Sequence, residues 1–123
     1  MIQHSKPFLS RDEIRSLQKV IYYGMIGYGP KTRELEKLVT KRTGYADSIC
    51  VSSASLAIYV ILKYLYPEGK KKIALSSYIC RSVYDAVCMA DCVPVLLDID
   101  SKTFGINTES VLRSKIDTVI AAH

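Results

Sequence analysis

Four short apolar runs constrain this chain more than any other feature. Ser48–Val51, Ile73–Leu75, Val93–Leu97 and Thr118–Ala122 are apolar along their length instead of alternating with polar residues. Strands of that kind are buried on both faces, as in a mostly parallel sheet with helices on both faces. The stretches between them suit such a sheet. Leu56–Tyr66 is apolar on most sides and reads as a buried helix stopped by Pro67 and Gly69. A second helical stretch follows Ser76 and Ser77 to about Ala90, and Thr108 is placed to cap a short helix through Lys115. The expected class is α/β.

Ahead of these units lies a helical segment. Ser10 and Glu13 have capping-box spacing, and Ile14, Leu17 and Ile21 recur at helical intervals until Gly24. A glycine-rich link, Gly24–Gly29, leads to Pro30 at the first turn of a second helix, which carries Leu35, Leu38 and Val39 and closes at Gly44. The expected division is a helical segment over residues 1–46 and βαβ units over 47–123, within one truncated domain. The chain stops at His123 directly after a strand, where a doubly wound sheet continues with a crossover helix. The end is therefore expected to be a cut, and its fresh edge to pair with a second copy or aggregate.

Composition removes several function classes. No apolar stretch reaches the roughly 18 residues of a membrane span, and Met1–Pro7 has no secretory apolar core. A cytoplasmic protein is expected. Cys50, Cys80, Cys88 and Cys92 form no C-x-x-C pair, so reduced and mostly buried thiols are expected. The net charge of +5 comes from scattered residues, including Lys37, Lys41 and Arg42 on one helix and Lys70–Lys72 in a loop. No nucleic-acid-binding signature accompanies them. His4 and His123 are the only histidines, one at each end, which makes a histidine-based triad hard to assemble.

Ligands of open α/β sheets bind at the carboxyl ends of the strands. Two such ends are rich in small polar residues. Val51-Ser52-Ser53-Ala54-Ser55 runs into the apolar helix, where free amides suit a phosphate, and the serines serve equally as plain helix caps. Ser76-Ser77-Tyr78-Ile79-Cys80-Arg81-Ser82 offers an aromatic ring and a thiol against a planar ligand, or simply a loop with a core cysteine. Asp98 and Asp100 read as a solvated turn before they read as a cation site. Dinucleotide, Walker, nucleophile-elbow and zinc-protease motifs are absent.

Blocks in a fixed order carry a family resemblance. Gly24, Gly29 and Glu36 resemble, with near-correct spacing, the opening "sG....G....lE" of the DegT/DnrJ/EryC1/StrS aminotransferases. Val51–Ile58 resembles "vsSGTaAL", Ile73–Ser82 "Vi.Ps.tf.a", Pro94–Asp100 with Phe104–Asn107 "pvfvDid..t.nid", and Thr118–His123 "kaIi.vH". The resemblance implies the N-terminal part of the large domain of a fold-type I enzyme dependent on pyridoxal 5′-phosphate (PLP), usually a homodimer. It implies Ser53, Ala54 and Ser55 at the cofactor phosphate. It puts Cys80 at the position that stacks on the cofactor ring, with Tyr78 as the alternative. Ala54 stands where the family has glycine and Ser55 where it has threonine, and Cys80 replaces an aromatic residue. The Schiff-base lysine and the aspartate that pairs with the pyridine nitrogen are expected beyond the C-terminus, so no catalytic residue is assigned and the chain alone is expected to be inactive. In full-length relatives the reaction is typically amino transfer from glutamate to a keto-sugar nucleotide. Two other readings stay open: a non-catalytic regulatory or dimerisation protein that keeps the fold, and a small phosphate-binding α/β domain using Ser52–Ser55.

Overall fold

A computed structural model describes residues 7–122. His4 and His123 lie outside the described residues, as does the start of the chain at Met1–Lys6. The described chain forms two compact units, one running through Cys50 and the other starting at Val51.

The first unit holds α1 (Arg11–Tyr22) and α2 (Pro30–Thr43). Local chemistry fixes both. The Ser10 side chain accepts the Asp12 N–H while the Glu13 carboxylate accepts the Ser10 N–H, so the capping box is complete. Pro30 opens α2 and Gly44 ends it with φ +76, a left-handed conformation that glycine adopts at no steric cost. Glu36 ties down the chain after α2. Its carboxylate accepts the Cys50 N–H at 2.9 Å and the Tyr28 hydroxyl at 2.6 Å, and its backbone carbonyl accepts the Ser48 hydroxyl at 2.6 Å. The Cys50 amide, then the Tyr28 hydroxyl, hold this carboxyl below the ordinary glutamate range. These bonds account for one departure from expectation. Ser48–Val51 is not a strand: the Ser48 hydroxyl and the Cys50 N–H are directed at Glu36 instead of a neighbouring ladder.

The second unit is α3 (Ala54–Leu65), β1 (Lys72–Ser76), α4 (Arg81–Met89), β2 (Val93–Leu97), α5 (Thr108–Arg113) and β3 (Thr118–Ile120). The strands form a parallel sheet in the order β2-β1-β3, with Ala74 paired to Val95 on one side and Val119 on the other. β1 is central, so Ile73, Ala74, Leu75 and Ser76 are buried, as its unbroken apolar pattern demands. Around Ile73 and Leu75 pack Leu62 of α3, Val87 of α4, Ala90 and Cys92. The chain steps from β1 to β2 and then back across β1 to β3. Right-handed crossovers carry connections of opposite direction to opposite faces of a sheet.

Other expectations need correction. α3 is less buried than its composition suggests: only Leu62 is enclosed, while Leu56, Val60, Ile61 and Leu65 are exposed. One helical face meets the core and α4, and a helix that is apolar all round cannot bury the rest against a single neighbour. The thiols divide in the same way. Cys92 is buried and Cys50 half-buried, but Cys80 and Cys88 are exposed at the start and on the outer face of α4. Asn107, not Thr108, caps α5. Asn107 is still extended and its side chain accepts the Ser110 N–H, whereas Thr108 is already helical.

Candidate functional site

The Ser53–Ser55 turn is built by α3. Ser53 is extended (φ −158°, ψ 159°), its hydroxyl accepts the Leu56 N–H at 3.2 Å, and its carbonyl accepts the Ala57 N–H at 3.1 Å. Ser53 is therefore the helix cap. Capping consumes the Leu56 N–H, one of the four orphan donors of the first turn, and leaves the N–H groups of Ala54 and Ser55 without an intrahelical partner. Both point out of the N-terminus of a 12-residue helix, where the dipole favours an anion. Ala54 keeps a negative φ, so alanine stands in the glycine position of the family pattern without backbone strain.

Ser53 and Ser55 line one hollow of about 290 Å³ together with Leu56, Tyr59, Ser82 and Asp85. Ser82 and Asp85 come from the first turns of α4, one face of which packs on α3. Asp85 faces Arg81, whose Nε lies 3.5 Å from its carboxylate. Ser82 ended the candidate segment after Ile73–Leu75, and nothing in the sequence pattern tied it or Asp85 to this turn. They reach the turn only because parallel pairing of β1 and β2 lays α4 beside α3.

The residues after β1 are ordered from within. The buried Ser76 hydroxyl accepts the Tyr78 N–H at 3.2 Å, and Ser77 N–H donates to the Leu97 carbonyl at 2.8 Å. Tyr78 then lines a separate hollow of about 490 Å³ with Thr103, Phe104, Gly105 and Ala122. Tyr78 follows β1 and Ala122 follows β3, so this hollow opens at the carboxyl ends of adjacent strands. The order β2-β1-β3 makes that the topological switch point of the sheet. Cys80 precedes α4, makes no side-chain capping bond, and lines neither hollow. The five residues expected at a cofactor are thus divided: Ser53 and Ser55 share one hollow, Tyr78 lines the other, and Ala54 offers a backbone amide beside the first.

Among the described residues no lysine lines either hollow. Lys63 pairs with Asp91 at 2.5 Å and Lys71 with Asp117 at 3.0 Å. Lys72 opens β1 instead of belonging to a loop. Asp98 and Asp100 serve the turn after β2. The Asp98 carboxylate accepts the Ile99 N–H, and that of Asp100 accepts the N–H groups of Lys102 and Thr103, each at 2.9 Å for Asp100. Those bonds, Thr103 first, hold the Asp100 carboxyl below its ordinary range. Among the described residues no helix is long and apolar enough to cross a membrane, and no group of three metal-ligating side chains assembles.

A parallel α/β unit with a small-residue turn at a helix start is the class that this geometry defines. The model of the DegT/DnrJ/EryC1/StrS aminotransferase family matches residues 7–122, and the chain belongs to that family. Solved structures share the fold. A protein from Streptococcus pneumoniae assigned as a sugar aminotransferase matches in its apo form with a TM-score of 0.86 at 25% identity, covering 98% of this chain and 31% of that one. Escherichia coli GDP-4-keto-6-deoxy-D-mannose-3-dehydratase, with bound hydrated PLP, gives 0.81 at 20% identity over 95% of this chain and 32% of that one. An aminotransferase from Psychrobacter cryohalolentis gives 0.81 at 18% identity, over 94% and 30%. The chain therefore spans about three-tenths of the length of these structures.

Proposed function

We propose that this chain supplies the cofactor-phosphate turn of a cytoplasmic, dimeric, PLP-dependent enzyme acting on a keto-sugar nucleotide or similar ketone, and that it lacks transaminase activity by itself. The observation that carries the reading is the start of α3, where the Ala54 and Ser55 N–H groups are left for an anion once Ser53 has capped the helix. Those two amides and the Ser55 hydroxyl would hold the phosphate. Tyr78 and the Cys80 thiol are the candidates for the ring. Bound there, PLP supplies an electron sink for the substrate carbon that gains or loses an amino group. The chemistry also needs a lysine as covalent anchor and proton carrier, and among the described residues no lysine lines the hollows. Free cysteines support a reducing compartment. The exposed apolar residues of α3 support association with a second copy. The exposed thiol of Cys80 at an aromatic position favours a second reading, a family member that keeps the fold for regulation or dimerisation.

Titration of the purified chain with PLP, read by calorimetry and absorbance, tests the proposal. Saturable binding without a covalent change in the PLP spectrum is expected. Ser55→Asp should weaken it on the order of 100-fold, the worth of two charge-assisted hydrogen bonds opposed by a new carboxylate, while helix content is kept. Absence of binding to the unaltered chain would refute the phosphate turn. A stable covalent PLP band would refute the missing lysine.

A further inference from the structure

Arg33, Lys37 and Lys41 recur every four residues along α2. Four residues advance a helix by about 6 Å, so the three charges form one row on its surface. All three are exposed, and they line one hollow of about 710 Å³ within the first unit, together with Tyr28 and Ile49. Lys31 pairs with Glu34, Lys63 with Asp91 and Arg113 with Glu109, but among the described residues none of these three forms an ion pair. Like charges four residues apart oppose each other, and the carboxylates of the same hollow are engaged by other groups. Glu36 accepts the Cys50 N–H at one oxygen and the Tyr28 hydroxyl at the other, and Asp47 accepts the Ser48 N–H at 2.8 Å. The Tyr28 ring is held by that bond, with the Arg33 guanidinium 5.6 Å from its centroid.

We propose that this row docks an extended acidic segment of a partner protein, with carboxylates at alternate positions. Alternate side chains of an extended chain stand on one face about 6.5 Å apart, which matches the step between the three cations and turns the intervening residues away. Tyr28 and Ile49, both exposed, offer apolar contact beside the charges. Single-stranded nucleic acid fits less well, because its bases need bare aromatic faces. Tyr28 is the single aromatic residue among the described lining, and Arg33 already lies over its ring. The row belongs to the first unit, so the inference stands independently of the phosphate turn at the start of α3.

The test uses the full chain and a fluorescein-labelled peptide alternating glutamate and valine, followed by anisotropy at low salt. Saturable binding that weakens with added salt is expected, and an unlabelled peptide with glutamine in place of glutamate should not compete. Lys37→Glu should weaken binding about ten-fold. The new carboxylate repels the peptide and can pair with Arg33 and Lys41, four residues to either side. Lys37→Arg keeps the charge and should bind as the unaltered chain does. Lys115→Glu makes the same change in net charge at an exposed position of the second unit, and should weaken binding less than about two-fold. Equal weakening by Lys37→Glu and Lys115→Glu would overturn the proposal, because net charge alone would then explain binding. So would loss of binding in Lys37→Arg, competition by the glutamine peptide, or no binding to the unaltered chain. A single-stranded uridine oligomer that binds more tightly than the peptide, and is lost with Lys37→Glu, would also overturn it and assign the row to nucleic acid.

Discussion

Gly69 closes the turn between α3 and β1, and its replacement by alanine carries a cost that can be worked out in parts. Its φ is +66°, and an added Cβ would lie 2.6 Å from the Asp91 carbonyl oxygen and 2.7 Å from the Asp91 Cβ. Asp91 has little freedom to withdraw. It is itself left-handed at φ 58°, its carbonyl accepts the Lys70 N–H at 2.7 Å, and its carboxylate holds Lys63. The left-handed conformation costs alanine about 1–2 kcal/mol, and losing the Lys70 hydrogen bond adds about 1 kcal/mol. Gly44 supplies the matched control. Its φ is +76°, but nothing lies within 4 Å of an added Cβ, so Gly44→Ala carries the conformational cost alone. Urea unfolding followed by circular dichroism compares the two. Gly69→Ala should lose at least about 1 kcal/mol more than Gly44→Ala. Equal losses would refute the claim that the Asp91 backbone, and not φ alone, demands glycine at this turn.

Two further outcomes follow from the same geometry. Ser53→Ala should cost about 1 kcal/mol and speed hydrogen exchange at the Leu56 amide; unchanged exchange there would mean that the serine is not the cap. Asp117 accepts the Lys72 N–H at 2.8 Å and the Lys71 ammonium at 3.0 Å, which hold its carboxyl below the ordinary aspartate range. A carboxyl lowered in the folded state stabilises above its unfolded value and loses that contribution as pH falls through the folded one. Asp117→Asn should therefore be less stable than the unaltered chain near neutrality, with the gap closing below about pH 4. A gap that persists in acid would show that the effect is not electrostatic.

Much of this protein was legible residue by residue. The capping box at Ser10 and Glu13, the start at Pro30 and the stop at Gly44 are local, because each satisfies its own backbone groups within a turn. The apolar runs that became β1, β2 and β3 were legible for a related reason, since a strand buried on both faces tolerates few polar residues. Order of the blocks carried the family. Partners distant in sequence were not legible. Ser48–Val51 has the composition of a strand, yet its polar groups went to Glu36. The approach of Ser82 and Asp85 to the Ser53–Ser55 turn depended on α4 lying against α3. The order β2-β1-β3, which brings Tyr78 and Ala122 to one hollow, is a choice among pairings that strand composition leaves open. Sequence determined that β1 needed burial and where α1 and α2 began. Only the tertiary structure decided which strand ends met, because hydrophobic burial is non-directional and the geometry of pairing supplies the direction.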